Sequence, residues 1–434
     1  MKKIFYRLSL LALLGITLPS HAVLDIRITQ GVEQALPIAV VPFGWSQAAH
    51  VAPLDLASII SGDLARSGRF AVMEEKDLPQ KPYDFQSINF NDWRLLGMEN
   101  LLIGQLILTN TGEYEVEFRL VDIYKGTQIA GFRIPSAKDK LRRTAHGISD
   151  IVFEKLIGVR GAFDTRIAYI TVKDAGGGAK AYTLQIADAD GYNPQILLES
   201  SEPLLSPNWS PDGNKIAYVS FEGRNSAVYV QDIVTGAREK VASNQGINSA
   251  PSWSPDGSRL ALTLSKDGNT EIYILHLSSK LLQRLTNDAA IDTEPDWSSE
   301  GDRLVFTSDR GGGPQIYEID ARGGEPRRLS FEGPYNARPI YSPDNKSIAL
   351  VHGDNGIYRI ALLDLGSGYL TVLTESRLDE SPSFAPNGSM IIYSTTGVRG
   401  SVLAAVSSDG RIQQRLAVQE GEVREPAWGP FQKQ

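Results

Sequence analysis

Pro207-Asn-Trp209-Ser-Pro-Asp-Gly213 returns as Pro251-Ser-Trp253-Ser-Pro-Asp-Gly257, and the motif then drifts in letters while keeping its place. Later copies are Pro295-Asp-Trp297-Ser-Ser-Glu-Gly301, Pro339-Ile-Tyr341-Ser-Pro-Asp-Asn345, Pro382-Ser-Phe384-Ala-Pro-Asn-Gly388 and a truncated Pro426-Ala-Trp428-Gly-Pro430. The aromatic positions are 44, 44, 44, 43 and 44 residues apart. A period of that length is the mark of a repeat architecture.

Each period holds the same parts. The aromatic sits on a short strand, and Ser-Pro-Asp-Gly supplies a tight reversal, with Pro presetting φ and Gly taking the left-handed position. An apolar strand follows, such as Lys215-Ile-Ala-Tyr-Val-Ser220 or Arg303-Leu-Val-Phe-Thr-Ser308, without the alternation of a half-exposed strand. A third strand (Gln315-Ile-Tyr-Glu-Ile-Asp320) and a fourth ending in Arg-Leu-Thr or Arg-Leu-Ser complete the unit. Four antiparallel strands per repeat predict a propeller blade, whose faces are covered only by its neighbours. The Pro that opens each motif fits an innermost strand with one unpaired edge.

Blade closure follows from the ends. Asp164-Thr-Arg-Ile-Ala-Tyr-Ile-Thr171 matches a second strand with no Pro-x-Trp motif before it, whereas the motif at 426–430 has no second strand after it. Joining the two gives six blades over residues 166–434, closed by the C-terminal strand. An open solenoid would need capping repeats.

Residues 36–160 carry no trace of the repeat. Leu36-Pro-Ile-Ala-Val-Val-Pro-Phe43 reads as a buried strand, residues 54–68 as a helix, and segments 70–73, 100–108, 114–122 and 128–133 as further strands. A second helix spans 141–156. The expected fold is multi-domain: a small N-terminal α/β domain, a linker at 161–165, and an all-β six-bladed propeller. A chain of 434 residues has length enough for two cores.

The first 22 residues read as a signal peptide. Lys2, Lys3 and Arg7 precede an apolar run at 8–18, and Ser20-His21-Ala22 predicts cleavage after Ala22. That run is shorter than the roughly 20 residues a membrane-spanning helix needs. The expected mature chain has no integral membrane segment and resides in the periplasm. Removing three basic residues from 43 leaves 40 against 51 acidic ones, a net charge of −11 that argues against a nucleic-acid partner. With no cysteine, disulfides and thiolate chemistry are excluded. Val23-Leu-Asp-Ile-Arg-Ile-Thr29 alternates like a strand and lacks a clear partner. Residues 23–35 either add to a sheet edge or fray.

Catalytic signatures are missing. Serine peptidases with related repeats carry Gly-x-Ser-x-Gly on a hydrolase domain; no such string occurs. His50, His146, His276 and His352 are scattered without a zinc-binding pattern, and each reads as surface or core filler. No cofactor or metal is expected, and the chain reads as a non-enzymatic monomer. Function then falls to the loops before each Pro-x-aromatic strand, which converge on one mouth of the channel. The candidate partner contacts there are Asn248, Thr293, Glu294, Arg338, Asp379, Glu380 and Arg424. A propeller hydrolase, or a glycan or small-ligand binder using Tyr335 as a stacking platform, are the alternatives.

Taken together, these features resemble the TolB family, periplasmic components of the Tol–Pal system. The more specific strings are Leu36-Pro-Ile-Ala-Val-Val-Pro-Phe43, Asp122-Ile-Tyr-Lys-Gly126 leading into Gly131-Phe-Arg133, and Leu378-Asp-Glu-Ser-Pro-Ser-Phe-Ala-Pro-Asn-Gly388. The resemblance implies that the propeller mouth docks the lipoprotein Pal and that the N-terminal peptide engages TolA, in a system that maintains outer-membrane integrity and aids envelope constriction during division. By position, it places Asn248, Thr293, Glu294, Asp379 and Glu380 on the Pal side. It places Asp25, Ile26, Arg27, Ile28, Thr29, Gln30 and Gly31 on the TolA side. Two departures stand out: some members have His in the loop that here reads Gly246-Ile247-Asn248, and others favour an acidic or small pair where this chain has Thr29-Gln30.

Overall fold

The computed structural model describes residues 25–28, 35–47, 51–397, 400–416 and 421–433. The proposed signal peptide, His50, and Thr29, Gln30 and Gly31 of the TolA-side segment lie outside the described residues.

The N-terminal sheet runs in the order Phe70–Val72, Leu36–Val40, Asn100–Leu108, Tyr114–Asp122, Thr127–Ser136. The first three strands are parallel and the last two join antiparallel. Helices α1 (Leu56–Arg66), α2 (Phe90–Leu95) and α3 (Leu141–Ile157) cover it. The two-residue period of Val116, Phe118 and Leu120 points these side chains at Ile60 and Leu64 of α1 and at Ile148 and Val152 of α3. On the opposite face Leu101, Ile103 and Val121 meet the buried Trp93 of α2. Each such side chain contributes roughly 1.5–3 kcal/mol relative to leaving it in water. Helix α1 begins later than its hydrophobic pattern because the Asp55 carboxylate accepts the Ser58 N–H at 3.0 Å, fixing the N-cap there. The helix α2 and the short strand Gly44–Trp45 are additions to the sequence reading.

The remaining sheets form a ring of six four-stranded blades. In blade one the C-terminal strand Glu422–Trp428 lies innermost against Arg166–Gly176, closing the ring. The other innermost strands are Leu204–Trp209, Asn248–Trp253, Asp292–Trp297, Tyr335–Tyr341 and Asp379–Phe384, in blades two to six. The peptide for which the sequence offered no clear partner has one: Asp25–Ile28 pairs antiparallel with Ile412–Arg415, the outer strand of blade six.

Two devices lock each blade to the next. Five of the six motif aromatics are buried and Trp428 is half-buried, and the indole N–H of Trp209 donates to Ala427 O at 3.1 Å and that of Trp297 to Ser252 O at 3.2 Å. At alternate joints the residue before the aromatic does the linking: Asn208 accepts the Trp253 N–H at 3.0 Å and Ser383 Oγ that of Trp428 at 2.9 Å. The second device is the turn. Gly301 has φ +72° and sits so close to the preceding blade's turn that an added Cβ would lie 3.0 Å from Pro255 Cγ. Glycine there serves conformation and close approach together.

The α/β domain docks at the ends of the innermost strands away from the mouth loops. Trp428 Nε1–H donates to Thr165 Oγ1 at 2.9 Å and Asn387 Nδ2–H to Arg160 O at 2.9 Å. The segment between the domains is fixed: the Asp150 carboxylate accepts the N–H groups of Phe163 at 2.7 Å and Asp164 at 3.3 Å.

Candidate functional site: the propeller mouth

Every innermost strand slips register just before its proline, as between Thr293 and Asp296 or Ala337 and Ile340. At each slip the residue ahead of Pro is left-handed: Ser206, Ala250, Glu294, Arg338, Ser381 and Glu425 have φ between +46° and +56°, and none is glycine. Such a conformation costs of order 1 kcal/mol per residue. Its repetition six times marks a built feature, since a bulge re-aims a side chain. These six residues and their prolines line the central channel.

Three of the six carry charge, and they meet. Arg338 Nε–H donates to Glu294 Oε1 at 2.8 Å and Nη2–H to Glu425 Oε1 at 3.0 Å, while Nη1–H reaches Ser381 Oγ. The Arg338 backbone N–H also donates to Glu294 Oε2 at 3.0 Å, and Thr307 Oγ1–H to the same oxygen at 3.1 Å. One guanidinium from blade five therefore ties blades four, six and one across the throat. Glu425, against the cost of burial and with help from Glu294, holds Arg338 still further above its already high pKa. The cavity left in the channel, about 100 Å³, is smaller than the ~300 Å³ at which small-molecule sites begin.

Above the throat lies the rim. Asn248, Asp292, Asn336 and Asp379 occupy equivalent positions at the start of their strands and are fully buried. Asn248 accepts the Asn244 N–H at 2.7 Å and donates to Asn244 O and Gly246 O. Asp292 takes two bonds from Arg310, and Asp379 accepts from Ser376 Oγ. These groups hold the loops from beneath. The residue preceding each is apolar or aromatic and faces out: Ile247 is 47% exposed, Ile291 51% and Leu378 40%, with Tyr335 half-buried between them. Blades three to six thus present an apolar crescent around an acidic, Arg-closed throat.

Of the sequence candidates, Glu380 and Arg424 are exposed, with Arg424 paired to Glu422. Thr293 is half-buried. Glu294 and Arg338 come together in the throat instead of standing free on the rim. Asn248 and Asp379 lie buried beneath the rim, hydrogen-bonded within their own loops. Ser381, Glu425, Ile247, Ile291 and Leu378 lie in the loops read from sequence as lining the mouth but are not among the named candidates. Aligning the repeats on the residue before each Pro would have shown one Arg facing two Glu. His146, read as filler, is buried against Asp63 at 2.7 Å.

A model of the TolB amino-terminal domain matches residues 24–129, and one of the TolB beta propeller domain matches residues 153–432. The chain belongs to the TolB family. It is 62% identical over 415 residues to the Tol-Pal system protein TolB of Thioalkalivibrio sulfidiphilus, covering 95% of each chain. The TolB of Nitrosococcus oceani is 63% identical over 428 residues, covering 99% of this chain and 98% of the relative. The crystal structure of TolB from Acinetobacter baumannii superposes with a TM-score of 0.85 at 42% identity, over 94% of this chain and all of that one. As a TolB-family protein the chain is a non-enzymatic, periplasmic component of the Tol–Pal system. No helix among the described residues is long and apolar enough to cross a membrane.

Proposed function

We propose that the protein bridges Pal, gripped at the propeller mouth, and TolA, engaged by residues 23–35 after signal-peptide cleavage behind Ala22. In this role it acts as a monomer that helps maintain outer-membrane integrity and draws the outer membrane inward during division. The observation that carries the mouth reading is the exposed apolar trio Ile247, Ile291 and Leu378, with the half-buried Tyr335 among them, a surface of the kind that marks protein docking. The α/β domain, docked at the far end of the strands, leaves this face open.

For the N-terminal peptide, support comes from its place: it adds to a blade edge by main-chain pairing, a contact that can be exchanged for another partner. Mouth occupancy then biases whether the peptide lies on blade six or is released, which requires that Pal bind the two states with different affinity. Deleting residues 23–35 should abolish TolA binding and spare Pal binding, changing Pal affinity only by the difference between the docked and released states, measured by calorimetry with each purified partner. Unchanged TolA affinity would overturn the peptide assignment, and loss of Pal binding would overturn the division of labour.

A further inference from the structure

Between the α/β domain and blade one lies a cluster of charges that the mouth and the N-terminal peptide do not use. Helix α1 contributes Asp63 and Arg66, α3 contributes Arg142 and His146, and blade one contributes Asp188 at the end of its third strand and Asp190 in the turn after it. His146, Asp63 and Arg66 are 3%, 2% and 6% exposed. His146 Nδ1 lies 2.7 Å from Asp63 Oδ2, whose other oxygen pairs with Arg66 Nη2 at 3.0 Å. Asp190 Oδ2 is shared: Arg142 Nη2 bonds it, and Arg66 Nη1 and His146 Nε2 each stand 3.9 Å away. Arg142 also approaches Asp188 at 3.5 Å and stacks 3.8 Å above the Tyr192 ring.

We propose that His146 sits in this cluster as an imidazolium and acts as a proton-dependent latch between the α/β domain and the propeller. Placement is the first argument. The imidazole stands between Asp63 of α1 and Asp190 of blade one, which favour its charged form, while Arg66 opposes it; further out Asp188 faces Arg142, Arg166 and Asp164, and Asp150 lies near Asp63. Hydrogen bonding is the second. Nδ1 is spent on Asp63, and the buried Nε2 has no hydrogen-bond partner among the described residues, aimed instead at Asp190 from 3.9 Å. A charged ring offers donors on both nitrogens to carboxylates of two different domains.

The electrostatics run the same way. Burial pushes the imidazole down, but Asp63 and then Asp190 outweigh it and Arg66, leaving His146 above its ordinary 6.5. Burial likewise opposes the Asp190 charge, and Arg66, His146 and Arg142 more than offset it. A raised histidine contributes its full stabilisation below the unfolded value near 6.5 and loses it as pH climbs through the raised value. The latch is therefore closed at mildly acid pH and loosens on the alkaline side. Asp63, His146 and Asp190 could also bracket a cation. The two guanidiniums argue against that, since they already occupy the carboxylate oxygens and would repel a dication.

Nuclear magnetic resonance of histidine-labelled full-length protein, titrated from pH 5.5 to 9, reads the ring directly. His146 should be doubly protonated at pH 6.5, and Asp190→Asn should lower its midpoint by about one unit, a tenfold weaker proton affinity. Amide exchange across residues 186–192 should quicken above the midpoint in the parent and show no such step in His146→Gln. A neutral ring at pH 6.5, or an unmoved midpoint in Asp190→Asn, overturns the latch. So does a ring signal that shifts on EDTA treatment or saturates with one equivalent of Zn²⁺. Should His146→Gln fail to fold, the parent and Asp190→Asn titrations still decide.

Discussion

Ser299 and Asn345 hold each other across the joint of blades four and five: the Ser299 N–H donates to Asn345 Oδ1 at 2.8 Å, and Asn345 Nδ2–H to Ser299 Oγ at 2.7 Å. Both are departures from the repeat. Elsewhere the turn glycine lies on the preceding blade's proline, as Gly257 does on Pro211 and Gly388 on Pro343. Where that proline is replaced by Ser299, its freed N–H finds an acceptor in the one turn whose glycine is replaced by Asn345. Asn tolerates the left-handed φ of +57° that the turn demands.

The pair should therefore behave as a unit. Ser299→Pro or Asn345→Gly alone should each cost about 1 kcal/mol, and the double variant should recover most of the loss because it restores the Gly-on-Pro packing. Chemical denaturation of the four proteins in a double-mutant cycle checks it. Additive losses would mean that the two residues do not act together.

Arg338 sets a second test. Replacing it with Met removes the cation from between Glu294 and Glu425 and leaves two carboxylates facing each other across the throat. Breaking a fully buried pair costs 3–5 kcal/mol, but the Arg338 side chain is 32% exposed to the channel, so about 2 kcal/mol is expected. Adding Glu294→Gln should return part of that stability. The unfolding midpoint of both variants is the measurement.

On the rim, the crescent and its supports should separate cleanly. Ile247→Asp and Leu378→Asp place a charge on exposed apolar positions, and each should weaken Pal binding at least about tenfold with little change in melting temperature. Asn248→Ala should instead lower stability by about 1–2 kcal/mol, because it strips the hydrogen bonds that hold the loop. Calorimetric binding and thermal melts on the same preparations distinguish the two classes.

The ring was legible because its period is local chemistry repeated. Ser-Pro-Asp-Gly turns and apolar second strands sit at fixed spacing, and the unmatched ends at Asp164 and Trp428 imply closure. The site was less so. Glu294, Arg338 and Glu425 belong to different repeats, and nothing along the chain says that a bulge before each proline turns all three inward. Asn248 and Asp379 look like surface polar residues, and only the third dimension shows them as buried loop supports. His146 is a lone histidine on a helix until Asp190, from another domain, arrives beside it. Contacts between distant segments are what periodicity leaves unsaid.

Asp296 gives a prediction in pH. Half-buried at the joint of blades three to five, it accepts the Ser252 Oγ–H at 3.0 Å and the Tyr341 N–H at 2.9 Å. Burial pushes its carboxyl up to about 6, more than these donors pull it down. For an acid whose folded value is raised, the folded state holds the proton longer than the unfolded chain does. Its stabilisation is thus complete below about pH 4 and is lost as pH climbs to about 6, at most roughly 3 kcal/mol across that window. Asn208, at the equivalent position of blade two, makes the same bond to the next blade without titrating. Asp296→Asn should keep both links, donating to Ser252 and accepting from Tyr341. The parent's stability advantage over that variant should shrink from pH 4 to pH 6 and stay level above. Denaturation midpoints of the two proteins at half-unit intervals read this directly, and a gap that does not vary with pH would show that folding does not raise the Asp296 carboxyl.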